Sequence, residues 1–337
     1  MVTCQARGLS CAGVACAEPN GDIPLTPPPP RPVAGPARDF VGYGRHPPRV
    51  EWPGGAKVVV NIVVNYEEGA EYSVLDGDDR NDTWGENTYT IEPEIRDLAT
   101  ETHMEYGSRV GIWRIARMLD TFGIDVSMDA CALALERNPD LCSWIRERNH
   151  EIIGHGYRWT EEYRTTRDQE RESLRRALGS IERTTGQRVT GWIVRSFPSV
   201  NTRELLVEEG GFLYDSDASN DELPYYAYPL GQPFLVVPYT KTHNDVKYMA
   251  TPTLSTPNHF FETLKLGLDY LLAEAERGEG NRMFTVGVHS RWTGQPSRAA
   301  PLRDFIEYAL GLPGVSFMRR DEIARFWLAN HPPAEGR

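Results

Sequence analysis

KVVVNIVVNYEEG, residues 57–69, is the most informative stretch of this 337-residue chain. Between positions 57 and 64 nearly every residue is apolar and β-branched, which is typical of a strand buried on both faces of a sheet. Two carboxylates, Glu67 and Glu68, follow this strand. Fully buried strands of this kind occur in parallel sheets, where crossover connections, usually helices, join neighbouring strands. The stretch therefore predicts that strands and helices alternate along the rest of the chain.

That alternation extends over about 280 residues. Further strands are predicted at 124–128, 151–154, 191–194, 234–237, 283–289 and 315–317. Helices are predicted at 112–122, at 140–147, after Asp168, and at the apolar stripes 261–271 and 302–309. No change of composition marks a second domain. The pattern predicts an α/β protein with one distorted (β/α) barrel, in which the chemistry occurs at the carboxyl ends of the strands.

The composition narrows the range of functions. Lys and Arg number 36 against 48 Asp and Glu, which gives a formal net charge of −12. A nucleic-acid binder needs clustered Lys and Arg for its phosphate contacts, so we expect no nucleic-acid partner. No apolar run approaches the roughly 20 residues of a membrane-spanning helix, and five cysteines do not make a disulfide framework in a chain of this length. We therefore expect a cytoplasmic protein that does not bind a membrane.

The N-terminal segment differs from the rest. It combines small residues with the proline tract 27–30 and has no helical or strand period, so we predict a disordered leader over 1–37. It lacks the positive n-region and apolar core of a secretory signal. Its cysteines Cys4, Cys11 and Cys16 complete no known metal-ligand spacing. The predicted catalytic barrel covers 38–332, and 333–337 form a short tail.

Polar side chains cluster where the predicted strands end. The clusters are Asn65-Tyr66-Glu67-Glu68-Gly69, His155-Gly156-Tyr157-Arg158-Trp159, Arg195-Ser196-Phe197-Pro198, Tyr214-Asp215-Ser216-Asp217 and His289-Ser290-Arg291-Trp292. Because the carboxyl ends of barrel strands meet at one rim, we expect these side chains to converge. Each cluster alone also fits a solvated loop, a structural histidine or an ion pair that neutralises a buried charge. Five of them together favour an active site.

Longer motifs resemble one known family. They are Gly42–Arg45, Asn65–Gly69, Glu105–Arg109, His155–Trp159, Glu208–Asp217 and the segment His289–Arg298. Together they resemble the polysaccharide deacetylase (NodB-homology) superfamily, and most closely its allantoinase-like branch, over roughly residues 38–332. The resemblance implies a distorted (β/α) barrel and a hydrolase acting on carbon–nitrogen bonds other than peptide bonds.

The chain departs from the metal-dependent members of the family it resembles. Their first motif has two aspartates, a general base and a metal ligand, and these positions are Glu67 and Glu68 here. Their second motif has two histidine ligands four residues apart, and these positions are His155 and Trp159 here. Indole does not coordinate zinc, and catalytic zinc normally takes three protein ligands. We therefore predict no cofactor and no tightly bound metal; with a metal present, its ligands would be Glu68 and His155.

Hydrolysis without a metal needs an activated water, a stabilised oxyanion and a proton for the leaving nitrogen. By alignment with the family motif, Glu67 is assigned as the base and Glu68 as an orienting or proton-sharing group. Mutual repulsion is expected to raise the pKa of one of these two carboxylates. The candidates for proton delivery are His155 and His289. The candidates for substrate binding are Tyr66, Trp159, Arg195, Asn201, Asp215, Asn244 and Arg291, and the two arginines are assigned to the developing oxyanion.

Three functions remain open at this point. The first is hydrolysis of a small cyclic amide or ureide, for which the hydantoin ring of allantoin is the family example. The second is metal-dependent deacetylation of an N-acetyl sugar or another N-acyl substrate, and the third is a non-catalytic barrel. Trp159 and the missing secretion signal count against the second, and the intact carboxylate pair counts against the third. The resemblance further implies a small-molecule substrate and a homo-oligomer, with a tetramer expected.

Overall fold

The computed structural model describes residues 34–87, 89–249 and 254–333. Residues from Pro36 onward form one compact unit. The predicted leader lies outside the described residues except at positions 34–37, and the predicted tail does so except at position 333. Both therefore stay predictions, as does the reading of the three N-terminal cysteines.

Nine strands are present in the described part of the chain. They are β1 Val58–Tyr66, β2 Ser127–Ala130, β3 Glu151–Gly154, β4 Gly191–Trp192, β5 Tyr214–Asp215, β6 Tyr225–Ala227, β7 Phe234–Val236, β8 Arg282–His289 and β9 Val315–Phe317. They form one sheet in the order β6-β7-β5-β4-β3-β2-β1-β8, with β9 paired to the first half of β1. All pairs are parallel except β6 with β7. The buried strand β1 thus lies inside the sheet, between β2 and β9 on one side and the edge strand β8 on the other.

Nine helices pack against this sheet in the described part of the chain, eight on its outer face and the last against its interior. They are α1 Leu98–Tyr106, α2 Ile112–Phe122, α3 Ala132–Glu136, α4 Pro139–Arg148, α5 Arg167–Thr185, α6 Thr202–Glu209, α7 Pro257–Glu276, α8 Pro296–Leu310 and α9 Arg320–Asn330. A π-helical turn, Gly107–Gly111, joins α1 to α2. Short 3₁₀ turns lie at Pro53–Gly55, Val74–Asp76, Glu162–Arg164, Pro229–Gly231 and Asp245–Tyr248. No helix in the described ranges is both long enough and apolar enough to cross a membrane.

The two faces of β1 pack into different layers. Because side chains alternate along a strand, Val60, Val64 and Tyr66 join the large cluster formed with the helices, whereas Val59 and Val63 join a second cluster inside the curled sheet. The interior also carries polar residues, and its lower part is filled by the guanidinium of Arg320 from α9. The site therefore stands on a packed interior and not above an open channel.

The predicted α/β fold with a distorted barrel is confirmed. The sheet curls, but β7 and β8 do not pair as strands; one parallel bridge between Asn244 and Gly287 links the two edges instead. The strands predicted at 151–154 and 315–317 have those bounds, whereas the one predicted at 124–128 begins at Ser127. The elements α1, α3, α6, α9, β5 and β6 were not predicted.

Candidate active site

Glu67 follows β1 directly, and three cationic side chains surround it. Its Oε1 lies 3.3 Å from Nε2 of His155 and 3.6 Å from Nε2 of His289. Its Oε2 lies 2.7 Å from Nη1 of Arg291. All four residues are buried, and the most exposed of them, His289, has an exposed fraction of only 6%. The structure thus brings together residues that the sequence places after three different strands.

An aspartate fixes the orientation of His289. Asp245 Oδ1 lies 2.6 Å from Nδ1 of this histidine, and Asp245 Oδ2 accepts hydrogen bonds from the His289 amide and the Thr293 hydroxyl. The indole of Trp292 packs on the imidazole, with ring centroids 4.5 Å apart. These contacts direct Nε2 toward Glu67, because Nδ1 is already engaged.

His155 is held in a similar way on the opposite side. Its Nδ1 lies 2.9 Å from the Ile193 carbonyl oxygen and 3.2 Å from Oδ1 of Asp129, at the end region of β2. The side chains therefore form a row in the order Asp129, His155, Glu67, His289 and Asp245. Carboxylates and imidazoles alternate along it, with Glu67 in the middle.

The electrostatics of this row keep Glu67 ionised. Burial alone would raise the pKa of Glu67, but Arg291 and His289, together with hydrogen bonding from His155, hold it well below its usual value. Mutual repulsion predicts a raised pKa for one of the two adjacent carboxylates, Glu67 and Glu68. For Glu67 that expectation is wrong, because Arg291 lies against it.

Both histidines are favoured in their protonated forms. Burial lowers the pKa of His155, but Asp129 and Glu67 outweigh that effect and raise it to about 9. Burial likewise acts against His289, while Asp245 and Glu67 raise its pKa to about 9. Burial also raises the pKa of Asp129 to about 7, partly opposed by His155. Two imidazolium N–H groups therefore point at one carboxylate at neutral pH.

Glu68 is anchored by the backbone and not by the histidines. Its Oε2 accepts from the Glu67 amide at 3.0 Å, and its Oε1 accepts from the Arg291 amide at 3.1 Å. Nη1 of Arg291 lies 3.5 Å from the same Oε1. A Cβ on Gly107 would lie 2.6 Å from that oxygen, so the glycine is what lets the carboxylate fit. Glu68 holds the Arg291 segment in place, which agrees with an orienting role.

Trp159 and Arg195 form a wall of the site. The Arg195 guanidinium stacks on the Trp159 ring at 3.7 Å, and Arg291 lies 5.0 Å from the centroid of the same ring. Arg195 Nη1 bonds to Asp82 Oδ2 at 2.6 Å and to the Trp159 carbonyl oxygen at 2.7 Å. The charge of Arg195 is thus paired with that of Asp82, so its assignment to the oxyanion is not supported. Arg291 remains available to stabilise the oxyanion.

Four predicted substrate-binding residues lie outside this cluster. Their contacts are Tyr66 with Ser108 and Asn138, Asn201 with Arg167, Asp215 with Arg203, and Asn244 with Tyr239. Tyr66 faces the helical layer, since it alternates with Glu67 along the chain. Asn201 precedes α6, and Asp215 is neutralised by its arginine. Asn244 lies beneath His289, against Gly287 of β8. Their substrate-binding roles stay predictions, since the structure shows only these contacts with neighbouring side chains.

Several buried polar atoms of the site lack a hydrogen-bond partner within the described part of the chain. They are Asp129 Oδ2, Ser290 Oγ, Arg291 Nε and Nη2, and Trp292 Nε1. Buried polar groups are nearly always paired, so such atoms gathered in one place indicate a site that binds a polar ligand. Donors on Arg291 and Trp292 suit a carbonyl oxygen.

The residues present do not fit a catalytic metal ion. Among the described residues, no group of three or more His, Cys, Asp and Glu side chains has the geometry to hold one. The one carboxylate that two histidines approach, Glu67, also carries the Arg291 cation. In the family motif that the sequence resembles, the second histidine ligand corresponds to Trp159, which is buried here and cannot coordinate a metal. A divalent cation here would lie beside the Arg291 guanidinium, which repels it.

Comparison with known proteins identifies several that are similar to this chain in sequence and in structure. No family model matches the sequence. A protein from Schizosaccharomyces pombe assigned to the polysaccharide deacetylases is 31% identical over 316 residues, which cover 88% of this chain and 98% of that protein. The crystal structure of a probable polysaccharide deacetylase from Pseudomonas aeruginosa is 38% identical with a TM-score of 0.84, and it covers 88% of this chain and 99% of its own. The crystal structure of PuuE allantoinase is 40% identical with a TM-score of 0.82, over the same shares of both chains.

Proposed function

This chain belongs to the polysaccharide deacetylase family, a family of hydrolases of carbon–nitrogen bonds other than peptide bonds, and we propose that it opens such a bond in a small cyclic amide or ureide without a tightly bound metal. The observation that carries the proposal is the row of acid and base side chains centred on Glu67, with two imidazolium groups directed at one carboxylate. That arrangement supplies proton donors and an acceptor where metal-dependent relatives need a cation.

Glu67 accepts the proton of the attacking water. Its low pKa makes it a weak base in the free enzyme, because Arg291 stabilises its charged form. When a substrate carbonyl accepts a hydrogen bond from the free Nη2 of Arg291, it shares the field of that cation.

The remaining groups stabilise the transition state and release the amine. Water adds to the carbonyl carbon, and negative charge develops on the carbonyl oxygen beside Arg291 and the Trp292 N–H. The carbon–nitrogen bond then breaks, and His289 gives its Nε2 proton to the leaving nitrogen. Asp245 stabilises the imidazolium before that transfer. Glu67 returns the water proton to His289, whose Nε2 lies 3.6 Å away, and the new carboxyl group releases its proton to solvent. The products are a carboxylate and an amine or amide nitrogen on the opened ring.

The closed site favours a small substrate over a polymer. The reactive side chains are nearly fully buried, and the indoles of Trp84, Trp159 and Trp292 lie over them. The ring centroid of Trp84 lies 6.5 Å from that of Trp159 and 6.1 Å from that of Trp292. A polysaccharide needs an open groove along which its chain continues on both sides. Indoles bind planar rings by stacking, so these three side chains suit a small ring. The resemblance to PuuE allantoinase supports the same substrate class.

The direct test is a hydrolysis screen with allantoin, hydantoin, succinimide and N-acetylglucosamine oligomers. We expect turnover of at least one ring compound and none of the oligomers. Glu67→Gln should lower kcat by about 10²- to 10⁴-fold, the usual contribution of a general base. The matched control is Glu105→Gln, at a position with 57% side-chain exposure on α1, which should keep the full rate. Hydrolysis of the oligomers alone, or a fully active Glu67→Gln variant, would refute the proposal.

A further inference from the structure

The segment 71–87, which we call the strap, crosses the mouth of the site. Five ion pairs tie it to loops that follow different strands and helices of the barrel. They are Asp76–Arg137, Asp78–Arg158, Arg80–Glu161, Asp82–Arg195 and Glu86–Arg298. The catalytic row beneath it is buried, so a substrate reaches Glu67 only if a covering segment moves.

The five ion pairs differ in how strongly they hold the strap. In four of them at least one side chain has an exposed fraction of 20% or more, so solvent screens the attraction and each contributes little. In the Asp82–Arg195 pair the side-chain exposed fractions are 0% and 5%. Breaking one partner of a buried pair leaves an uncompensated charge and is costly. The Asp82–Arg195 pair therefore controls whether the strap covers the site.

The same carboxylate positions an aromatic ring over the site. Asp82 Oδ2 bonds to Arg195, while Asp82 Oδ1 accepts from the backbone amide of Trp84 at 3.0 Å. The Trp84 ring then contacts Trp159 and Trp292, the two indoles that flank Arg291. Closing the pair and lowering the ring are thus one event, because both depend on the two oxygens of Asp82.

We propose that the strap is the cover that admits substrate, that the buried Asp82–Arg195 pair latches it, and that Trp84 is the specificity-determining residue that limits the size of the ring bound below. The size limit rests on the proposed function, whereas the latch does not. When the latch opens, Trp84 leaves the other two indoles and Glu67 becomes accessible. When it closes on a substrate, Trp84 adds a stacking face and excludes water.

The latch is tested without any substrate by hydrogen exchange of the strap amides, read by mass spectrometry on the full-length protein. Asp82→Asn should speed exchange in 71–87 by about ten-fold or more, because a fully buried ion pair is lost. Arg195→Gln should do the same, and β1 amides should stay protected in both. The control Asp79→Asn changes a strap side chain that is 88% exposed and should leave exchange unchanged. Unchanged strap exchange in the folded Asp82→Asn and Arg195→Gln variants would overturn the latch.

Ring size is tested with hydantoin and its bulky 5-phenyl derivative. Trp84→Ala should raise KM for hydantoin by a factor several-fold larger than the factor by which it lowers kcat. The ratio of kcat/KM for the 5-phenyl derivative to kcat/KM for hydantoin should rise by about ten-fold. Trp84→Phe should keep most of the discrimination because it retains a stacking face. An unchanged ratio in Trp84→Ala would overturn the assignment of Trp84. If wild-type protein hydrolyses neither ring, the proposed function and the size limit fail together, and the exchange result still decides the latch.

Discussion

At the scale of single residues, Asp245 controls the proton that His289 delivers. The raised pKa of His289, about 9, means that its imidazolium form is present at neutral pH and is lost as pH rises through that value. Wild-type kcat should therefore be level near neutrality and fall above about pH 9. Asp245→Asn removes the carboxylate that stabilises the imidazolium, so the fall should move about 1 to 3 pH units lower. The measurement is a kcat profile from pH 6 to 10.

The control for this prediction is Asp269→Asn, which removes a carboxylate that pairs with Lys265 at the protein surface. It should leave the profile unchanged. Glu67 is the other charged group within contact of the His289 ring, and it stays ionised throughout this range, so it does not produce the limb. An alkaline limb at the same pH in the Asp245→Asn variant would contradict the assignment of His289 as the acid.

The sequence predicted the side chains at the centre of the site better than the residues that hold those side chains in position. Glu67, His155, His289 and Arg291 were found because each follows a strand end, and barrel strands bring those ends together. Asp129 was missed, although it directly follows the strand predicted at 124–128 and the same rule could have identified it. Asp245, Asp82 and Trp84 lie in irregular segments, where no periodicity shows which way a side chain points.

Among the helices and strands, the π-helical turn between α1 and α2 packs closely against Glu68. A Cβ at Gly107 would lie 2.6 Å from Glu68 Oε1 and 2.9 Å from the Arg291 amide nitrogen. Gly107→Ala should therefore lower kcat/KM by about ten-fold or more, since small displacements of positioning groups are costly. Far-ultraviolet circular dichroism should show the fold retained.

Gly179→Ala on α5 is the matched control. Its Cβ would meet only the flexible end of Arg183, at 3.3 Å. Replacing a helical glycine with alanine should add about 0.5–1 kcal/mol to the free energy of unfolding and leave kcat/KM unchanged. Equal kinetic effects of the two substitutions would argue against a specific contact between the turn and Glu68.

The helix α9 fastens the underside of the sheet through Arg320. Its guanidinium is fully buried and bonds to Asn61 Oδ1 at 2.8 Å and to Ser216 Oγ at 2.8 Å. Arg320→Met leaves those buried acceptors unpaired, so the free energy of unfolding should fall by about 3–5 kcal/mol. Urea unfolding measures it. Arg325→Met, on the same helix with 59% side-chain exposure, should change it by less than about 1 kcal/mol.

The elements that the sequence predicted are those with a strong local signal. Apolar composition identified β1, and the stripe of Ile112, Ile115 and Leu119 identified α2, each with its buried residues as expected. The helix α1 buries only Thr100 and Met104, so it has no apolar stripe to detect. The strand β5 has only two residues and is defined by its neighbours in the sheet.

At the scale of the whole molecule, the family resemblance predicts a tetramer of this 38.0 kDa chain. Sedimentation equilibrium at several protein concentrations should give a mass near four chains that does not change on dilution. A mass of one chain at all concentrations would show the tetramer prediction to be wrong. Exposed apolar side chains on one helix face, Leu266 and Tyr270 of α7, are the first positions to test if a tetramer is found.

The alternation of strand and helix predicted the architecture of the whole chain because parallel sheets require crossovers. It did not predict that the sheet stays open between β7 and β8. That feature depends on how Tyr239 and Asn244 pack against Gly287, where a Cβ would meet the tyrosine hydroxyl at 2.3 Å. Contacts between segments so far apart in sequence leave no local pattern.

The central claim is that Glu67, the two histidines and Arg291 break a carbon–nitrogen bond with no bound cation. Its most direct test is the turnover of the best ring substrate by protein that has been dialysed against a chelator, with zinc and other transition metals assayed in the same sample. We expect full kcat at a metal content far below one ion per chain, and no rise in kcat when zinc is added. Loss of activity on dialysis that returns with one equivalent of zinc would contradict it.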